Sequence, residues 1–212
     1  MGAGRRRART PTAGVTVLAV DVLLHVSSNG RGPIIVDHPG VVAVRTFALV
    51  PGYQFAAPNG ANWLSLHDLA VPATVETSGD GVRIVFEQIS PAEGWLTASG
   101  VVTAGPYPAG TAVLSVVMDV DRDAVGLFHA WYDEEHLPTM VSVPGVAAAR
   151  RFRAVRGALP EHGRDRFLAL YELSSPEALS GDAWAGAATV TPRAAEVLPH
   201  LAWASQLYRL AV

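Results

Sequence analysis

The chain of 212 residues contains no cysteine and no lysine, and all sixteen of its basic residues are arginine. Without cysteine the chain alone cannot supply a thiolate nucleophile, a disulfide or a cysteine metal ligand. Without lysine it cannot form a Schiff base or build a phosphate-binding loop that depends on lysine. Any chemistry must therefore use His, Asp, Glu, Tyr, Ser, Thr or Arg side chains, or backbone groups.

The chain also lacks a strongly basic surface and a run of apolar residues long enough to cross a membrane. Its formal net charge of -3 and its pI of about 6.1 argue against nucleic acid as a partner. The basic cluster near the N-terminus lies in residues 1–13, which we expect to form a flexible tail. The apolar stretch 15–26 is too short to span a bilayer and contains Asp21 and His25, so the sequence favours a cytoplasmic protein without a membrane partner.

The most informative stretch covers residues 121–153, because it combines helical periodicity, clustered ionisable side chains and a sharp turn into a strand. We predict a helix over residues 123–139, and spacings of three and four place these residues on one of its faces: Val125, Phe128, Trp131, Tyr132, Glu135 and His136. A carboxylate and an imidazole beside aromatic rings are unusual for a helix that only packs against a core. Pro138 should loosen or end the helix just past His136, and Pro144 and Gly145 should turn the chain into the next strand.

An internal duplication is the second feature that organises the chain. Residues 38–52 match residues 143–157 at eight of fifteen positions, and residues 63–72 echo residues 167–176. A third match, at a shorter offset, indicates that the first copy has lost most of the helix that precedes the Pro-Gly turn in the second copy.

We therefore predict a first repeat over residues 14–108 and a second repeat over residues 109–212. Residues 27–37, which stand where the first copy lost its helix, should contain no helix longer than about two turns, because Gly30, Gly32 and Pro33 interrupt it.

Each repeat is predicted to follow the order strand, helix, strand, strand, helix, strand. In the second repeat the predicted strands are 112–120, 146–155, 166–173 and 201–211, and a second helix covers 176–188 with a break at Gly181. In the first repeat the predicted strands are 15–26, 41–50, 62–70 and 95–104, while 82–88 fits a helix or a strand. This order predicts an α+β fold of two ferredoxin-like βαββαβ repeats. Because each repeat leaves one sheet face apolar, the two should cover each other as a pseudo-dimeric α/β barrel within one chain.

The run FHAWYDEEHLPTMVSVPGVAAARRFR, followed by FLALYEL, resembles the dimeric α/β-barrel superfamily, and within it the EthD-like, antibiotic-biosynthesis-monooxygenase and polyketide-cyclase-related groups. The pattern W-Y-x-x-x-H-[LI]-P is carried here by Trp131, Tyr132, His136, Leu137 and Pro138. The resemblance implies that this helix lies beside the barrel cavity. It covers the second repeat and only the strands of the first, which implies at most one such site per chain.

His136 and Tyr132 stand one helical turn apart, which suits a proton-transfer pair, since histidine titrates near neutral pH. The alternative is that the imidazole merely bonds a strand carbonyl and that Tyr132 packs in the core. Glu135 could orient the imidazole or pair with Arg150 or Arg151. Asp133 and Glu134 are expected to face solvent.

The residues expected to line a substrate site are Phe128, Trp131, Glu135, His67 and Tyr171, of which His67 aligns with Tyr171 in the duplication. His129, Asp133 and His136 have spacings that could suit a metal ion, but no third distant ligand accompanies them, so we predict no metal site. Nucleophile-elbow and dinucleotide-binding motifs do not occur.

These observations favour a cofactor-independent enzyme acting on an apolar carbonyl-bearing or aromatic small molecule. The reaction would be a cyclase, isomerase or lyase step of polyketide or aromatic metabolism, with His136 as general acid or base and Tyr132 bonded to the developing oxyanion. A cofactor-free monooxygenase is one alternative, and a non-catalytic ligand-binding or accessory protein is another. A homodimer remains open.

Overall fold

The computed structural model of the protein describes residues 21–27, 41–55, 63–69, 82–92, 94–103, 110–157, 159–189 and 191–211. The predicted tail and all of the predicted helix-poor segment except Ser27 lie outside these residues. None of the described helices combines the length and the apolar character that a membrane crossing needs.

The described strands form one antiparallel sheet of ten members. They are β1 (Asp21–Ser27), β2 (Val41–Phe55), β3 (Trp63–Leu69), β4 (Val82–Ser90), β5 (Trp95–Thr97), β6 (Gly100–Val102), β7 (Ala112–Asp121), β8 (Val146–Gly157), β9 (Arg164–Leu173) and β10 (Leu201–Leu210). Their order is β4-β1-β3-β2-β10-β7-β9-β8-β5-β6, and β4 also pairs with β8. The sheet therefore curls until β4 meets β8, with the β5–β6 hairpin attached beyond β8. The chain has the expected α+β class.

Alternating side chains of this curled sheet supply two separate cores. One buried cluster draws residues from strands all round the curl, so it fills the interior: Phe47, Leu64, Leu66, Ile84, Phe86, Val113, Phe152, Leu168, Leu170 and Tyr208. The other cluster joins the opposite face of β7 to β10 to the helices. On β7, for example, Val113 belongs to the interior cluster and Leu114 to the helix-facing one. Such alternation is the period-two signature of a strand buried on both faces.

One continuous helical run packs on the outer face of β7 to β10. It begins with a 3-10 turn (Arg122–Ala124) and α1 (Val125–Trp131), widens into a π-helical turn (Tyr132–His136), and ends with α2 (Leu137–Val141). In the wide turn the Leu137 N–H donates to the Tyr132 carbonyl, five residues back.

Pro138 explains the wide turn. Its ring would collide with the carbonyl four residues back and it has no N–H to donate, so regular α-helical bonding cannot pass through it. The prediction that Pro138 loosens the helix is confirmed, whereas the alternative that it ends the helix is wrong. The helix continues because Met140 and Val141 bury their side chains in the helix-facing core.

The second predicted helix also has the expected break. A 3-10 helix (Pro176–Ser180) precedes Gly181, and α3 (Asp182–Thr189) follows it. A further short helix, α4 (Ala194–Val197), and a 3-10 turn (Leu198–His200) were missed, because Pro192 and Pro199 give this segment the composition of a loop.

One predicted strand is wrong and one ambiguity is resolved. Residues 95–104 form no single strand, because Gly100, at φ 112°, turns the chain into the β5–β6 hairpin. The segment 82–88 is instead the strand β4, which pairs with both β1 and β8.

A buried ion pair crosses the interior of the curled sheet. Arg45 on β2 contacts Glu172 on β9, with 2.8 Å between Nη1 and Oε1, and the Glu172 side chain is almost fully buried. The guanidinium of Arg45 also lies 5.4 Å from the Phe47 ring, and that of Arg150 lies 5.2 Å from the Phe152 ring. The two Arg-x-Phe segments, which match in sequence, thus make the same kind of contact on β2 and β8.

We predict that Glu172→Gln lowers the free energy of unfolding by about 3 kcal/mol, because it removes the countercharge of a partly buried guanidinium. The control is Glu177→Gln, since Glu177 is 73% exposed and its contact with Arg209 is 3.9 Å long. That change should cost far less stability, because solvent screens the exposed contact. Urea denaturation of both variants measures the difference, and equal losses would contradict the structural role of the interior pair.

Candidate active site

A cavity of about 610 Å³ lies between the outer sheet face and the helices of the C-terminal half. Most of its wall is apolar or aromatic, and its lining residues are Leu114, Val116, Met118, Trp131, Tyr132, His136, Met140, Tyr171, Leu179, Trp184, Ala185, Leu198, Leu201, Trp203 and Ser205. Leu198 and Trp203 are also exposed, at 43% and 47%, so they mark the side on which the cavity meets solvent. A few polar groups within an apolar wall are typical of a small-molecule site.

The π-helical turn gives the cavity its particular set of side chains. In a regular α-helix, Trp131 and His136 would point about 140° apart, since each residue turns the helix by ~100°. A turn with bonds five residues long brings them to one side instead, and their ring centroids lie 4.5 Å apart. The imidazole also meets the Tyr132 ring edge-on at 4.7 Å. His136 is thus held between two aromatic side chains.

His136 is buried and uncharged at neutral pH. Burial, aided by the positive charge of Arg151, lowers the pKa of His136 from 6.5 to about 4. Its buried Nδ1 has no hydrogen-bond partner among the described residues. That nitrogen is therefore not tied to a strand carbonyl, the arrangement that a purely structural histidine would favour.

Two tyrosine hydroxyls lie together beside the imidazole. The Tyr132 and Tyr171 oxygens are 3.4 Å apart, and burial raises the pKa of Tyr132 to about 12 and that of Tyr171 well above 10. Both phenols are therefore protonated at neutral pH. If one hydroxyl donates to the other, the second proton stays available, so the pair offers one O–H donor to a ligand oxygen.

A buried arginine lies behind this group. Arg151 on β8 is 1% exposed, and its Nη2 donates to both carboxylate oxygens of Asp133 at 2.9 and 2.8 Å. Its guanidinium carbon is 5.0 Å from the centre of the Tyr132 ring. Asp133 was expected to face solvent, and it is partly exposed, but it also partners this cation. Arg151 places a fixed positive charge next to the cavity wall.

Glu135 neither orients the imidazole nor pairs with Arg150 or Arg151, so both sequence-based expectations for it are wrong. Its carboxylate accepts the backbone N–H of Arg193 at 3.1 Å and lies 3.3 Å from the Arg193 Nε. Arg150 points into the sheet interior, where it stacks 3.5 Å from the Trp95 ring. Glu135 therefore fastens α4 to the π-helical turn rather than lining the cavity.

The remaining predicted site residues divide into two groups. Trp131 and Tyr171 line the cavity, and the Trp131 indole N–H is bonded to Thr191 Oγ1 at 2.6 Å. Phe128 does not reach the lining, because its ring packs 4.9 Å from that of Phe167. His67 lies on β3, and its side chain is outside the described residues. Within the part of the chain that the structure describes, no three His, Asp or Glu side chains cluster closely enough to hold a metal ion.

The cavity residues that sequence reasoning missed come mainly from strands. Leu201, Trp203 and Ser205 alternate along β10, as do Leu114, Val116 and Met118 along β7. Their period-two spacing was visible in the sequence, but it marks two faces equally. Only the position of the helices shows which face borders the cavity.

No known sequence family matches the chain, and no curated protein matches it. Among solved structures, the chain is similar to an anthrone oxidase-like protein at 12% identity and a TM-score of 0.56, over 93% of this chain and 94% of that one. A candidate monooxygenase from Fusobacterium nucleatum subsp. nucleatum is similar at 7% identity and a TM-score of 0.47, over 92% and 93%. The second likeness is too low to support an argument. The first shows a shared α+β barrel-like fold.

The lowered pKa of His136 has a consequence for stability. Between pH 6.5 and 4 the His136 imidazole is protonated in the unfolded chain but not in the folded chain. The free energy of unfolding therefore decreases as the pH falls through this window. We predict that wild type loses about 3 kcal/mol more of its unfolding free energy than His136→Gln between pH 7 and pH 4. Urea denaturation at both pH values measures the loss. His162→Gln, at an exposed turn, is the control and should behave like wild type, whereas parallel losses in wild type and His136→Gln would contradict the burial of the imidazole.

Proposed function

We propose that the protein is an enzyme that removes a proton from an apolar aromatic or carbonyl-bearing small molecule, with His136 as the proton acceptor. The supporting observation is the pairing of an uncharged imidazole, whose Nδ1 has no hydrogen-bond partner among the described residues, with two protonated phenols in a largely apolar cavity of about 610 Å³. A cavity of this size suits a ligand of drug-like dimensions. The chemistry is supplied by the chain's own side chains.

The step begins when a C–H or O–H proton of the bound substrate passes to the imidazole, leaving its electron pair on the substrate as an enolate or phenolate. The free O–H of the Tyr132 and Tyr171 pair donates to the oxygen on which this charge collects. The imidazolium and Arg151 both carry positive charge, which stabilises the anion in surroundings of low dielectric constant. Arg151 also disfavours the imidazolium, so proton transfer requires the substrate anion to stay close.

The anion can then follow either of two routes. In the first, it rearranges, closes a ring or expels a group, and the imidazolium returns the proton, which gives a cyclase, isomerase or lyase. In the second, the carbanion of an anthrone-like ketone adds to dioxygen, and the imidazolium returns its proton to the resulting peroxide, which gives a hydroperoxide. Loss of water then converts the original CH₂ into a carbonyl, so that dioxygen is the oxidant and no further reductant is needed. The fold shared with an anthrone oxidase-like protein favours the second route.

We also propose that the chain consists of two ferredoxin-like repeats arranged as a pseudo-dimer. The order β4-β1-β3-β2 in the N-terminal half matches β10-β7-β9-β8 in the C-terminal half, position by position along the chain. The Arg-x-Phe contacts on β2 and β8 support the same pairing of elements. The helical run with the cavity belongs to the second of these repeats, in keeping with one site per chain.

The direct test is the turnover of anthrone, followed by quinone absorbance and by oxygen consumption. His136→Ala should lower kcat by a factor on the order of 10² to 10⁴, the usual share of a positioned general base. Tyr132→Phe should lower it by a factor on the order of 10, because one neutral hydrogen bond to the oxyanion is lost while Tyr171 remains. Unchanged turnover in His136→Ala would contradict the proposal. Loss of anthrone with neither quinone formation nor oxygen consumption would select the first route.

The pH profile provides an independent check. A base works only when deprotonated, so kcat/KM should stay level from pH 8 down to about 5 and fall around the pKa of about 4. An ordinary histidine would lose activity near pH 6.5. The control is His129→Gln, which lies outside the cavity lining and should leave the profile unchanged. A fall centred near pH 6.5 in wild type would contradict an imidazole buried in the free enzyme.

A further inference from the structure

A single aliphatic hydroxyl lines the cavity among the described residues. Ser205, on β10, is 5% exposed and is a neighbour of Val116 in the β7 pairing. A hydroxyl on an apolar wall can donate one hydrogen bond and accept others. The wall at Ser205 therefore offers a polar contact to a ligand in the cavity.

Ser205 and Tyr171 stand at different positions of the sheet face that borders the cavity. In the sheet register, Ser205 is opposite Val116 and Val116 is opposite Ala169, two residues along β9 from Tyr171. Strands ~4.8 Å apart and a rise of ~3.3 Å per residue put the Cα atoms of Ser205 and Tyr171 roughly 12 Å apart. The hydroxyls of Ser205 and Tyr171 thus belong to different parts of the cavity wall, and the apolar residues Leu114 and Val116 of β7 lie between them in the sheet.

We propose that Ser205 is a specificity-determining residue, which binds an oxygen at the far end of an elongated, flat, fused-ring substrate whose reacting end lies against His136 and Tyr132. Because Ser205 and Tyr171 stand on strands separated by β7 and two residues apart in register, contacts with both match oxygens on different rings of a fused aromatic system better than the two ends of a single ring. The hydroxyl can donate to a ketone or phenolate oxygen and can accept from a phenol. This inference rests on the proposed function for the placement of the reacting end.

The test uses two binding probes that cannot react as anthrones do, anthraquinone and an anthraquinone with one hydroxyl group on an end ring. Trp131, Trp184 and Trp203 line the cavity, so quenching of tryptophan fluorescence reports binding. In wild type the hydroxylated probe should bind more tightly. Ser205→Ala should raise its Kd by about tenfold, the effect of one lost neutral hydrogen bond, and should leave the Kd of plain anthraquinone unchanged.

Ser115→Ala is the matched control. Ser115 is equally buried on β7, but it stands between the cavity-lining Leu114 and Val116, so its side chain faces the sheet interior. It should not alter the preference between the probes. An unchanged Kd for plain anthraquinone in Ser205→Ala shows that this variant still folds. Equal weakening of both probes by Ser205→Ala, or no weakening of either, would overturn the proposal.

The outcome can be separated from that of the proposed reaction. The corresponding pair of anthrones, with and without the end-ring hydroxyl, should show the same Ser205 preference in KM while kcat depends on His136. If Ser205 discriminates between the two probes but neither anthrone is turned over, the Ser205 contact is supported and the proposed reaction is contradicted. If turnover depends on His136 but changes neither with Ser205→Ala nor with the end-ring hydroxyl of the anthrone, only the Ser205 contact is contradicted.

Discussion

The wide turn of the helix from Tyr132 to His136 is the constraint on which the candidate site depends. Pro138 cannot join regular helical bonding, and the buried residues that follow it keep the helix from ending. Widening by one residue is the remaining solution, and it brings Trp131 and His136 to the same side. Wide turns of this kind are frequent at functional sites, because they point side chains in directions that a regular helix cannot.

The curled sheet decides where such a helix can produce a cavity. Its interior is filled by a hydrophobic cluster and the Arg45–Glu172 pair, so the helices must pack on the outer face. There a cavity lies between the sheet and the helices, and Tyr171 and Trp203 are among the residues that line it. Burial in this space, more than any single charge, sets the protonation of the imidazole, and Arg151 acts in the same direction. The packing of the helices on the sheet therefore determines the pKa of His136, because it removes the imidazole from water.

The likeness to the anthrone oxidase-like protein spans nearly the whole of both chains at 12% identity. Such a combination is expected when a sheet order and a pattern of buried positions persist while the side chains change. Because one fold carries many activities, the likeness shows the fold alone, and the proposed proton abstraction rests on His136, Tyr132 and Tyr171.

By itself the sequence determined most of the strands of the C-terminal half, the break at Gly181 and the helix that carries His136, because these follow from local periodicity and from the chemistry of glycine and proline. It misassigned residues 95–104 and the partner of Glu135. It also did not show that Ser205 lines the cavity or that Arg151 pairs with Asp133. Tertiary structure decided these points, because none of them leaves a periodic signal in a single segment. They depend on a turn with a positive φ, on a partner more than fifty residues away, and on a cavity bordered by several elements. Which strand face borders a cavity is a property of the packed chain, because alternation along a strand marks both faces alike.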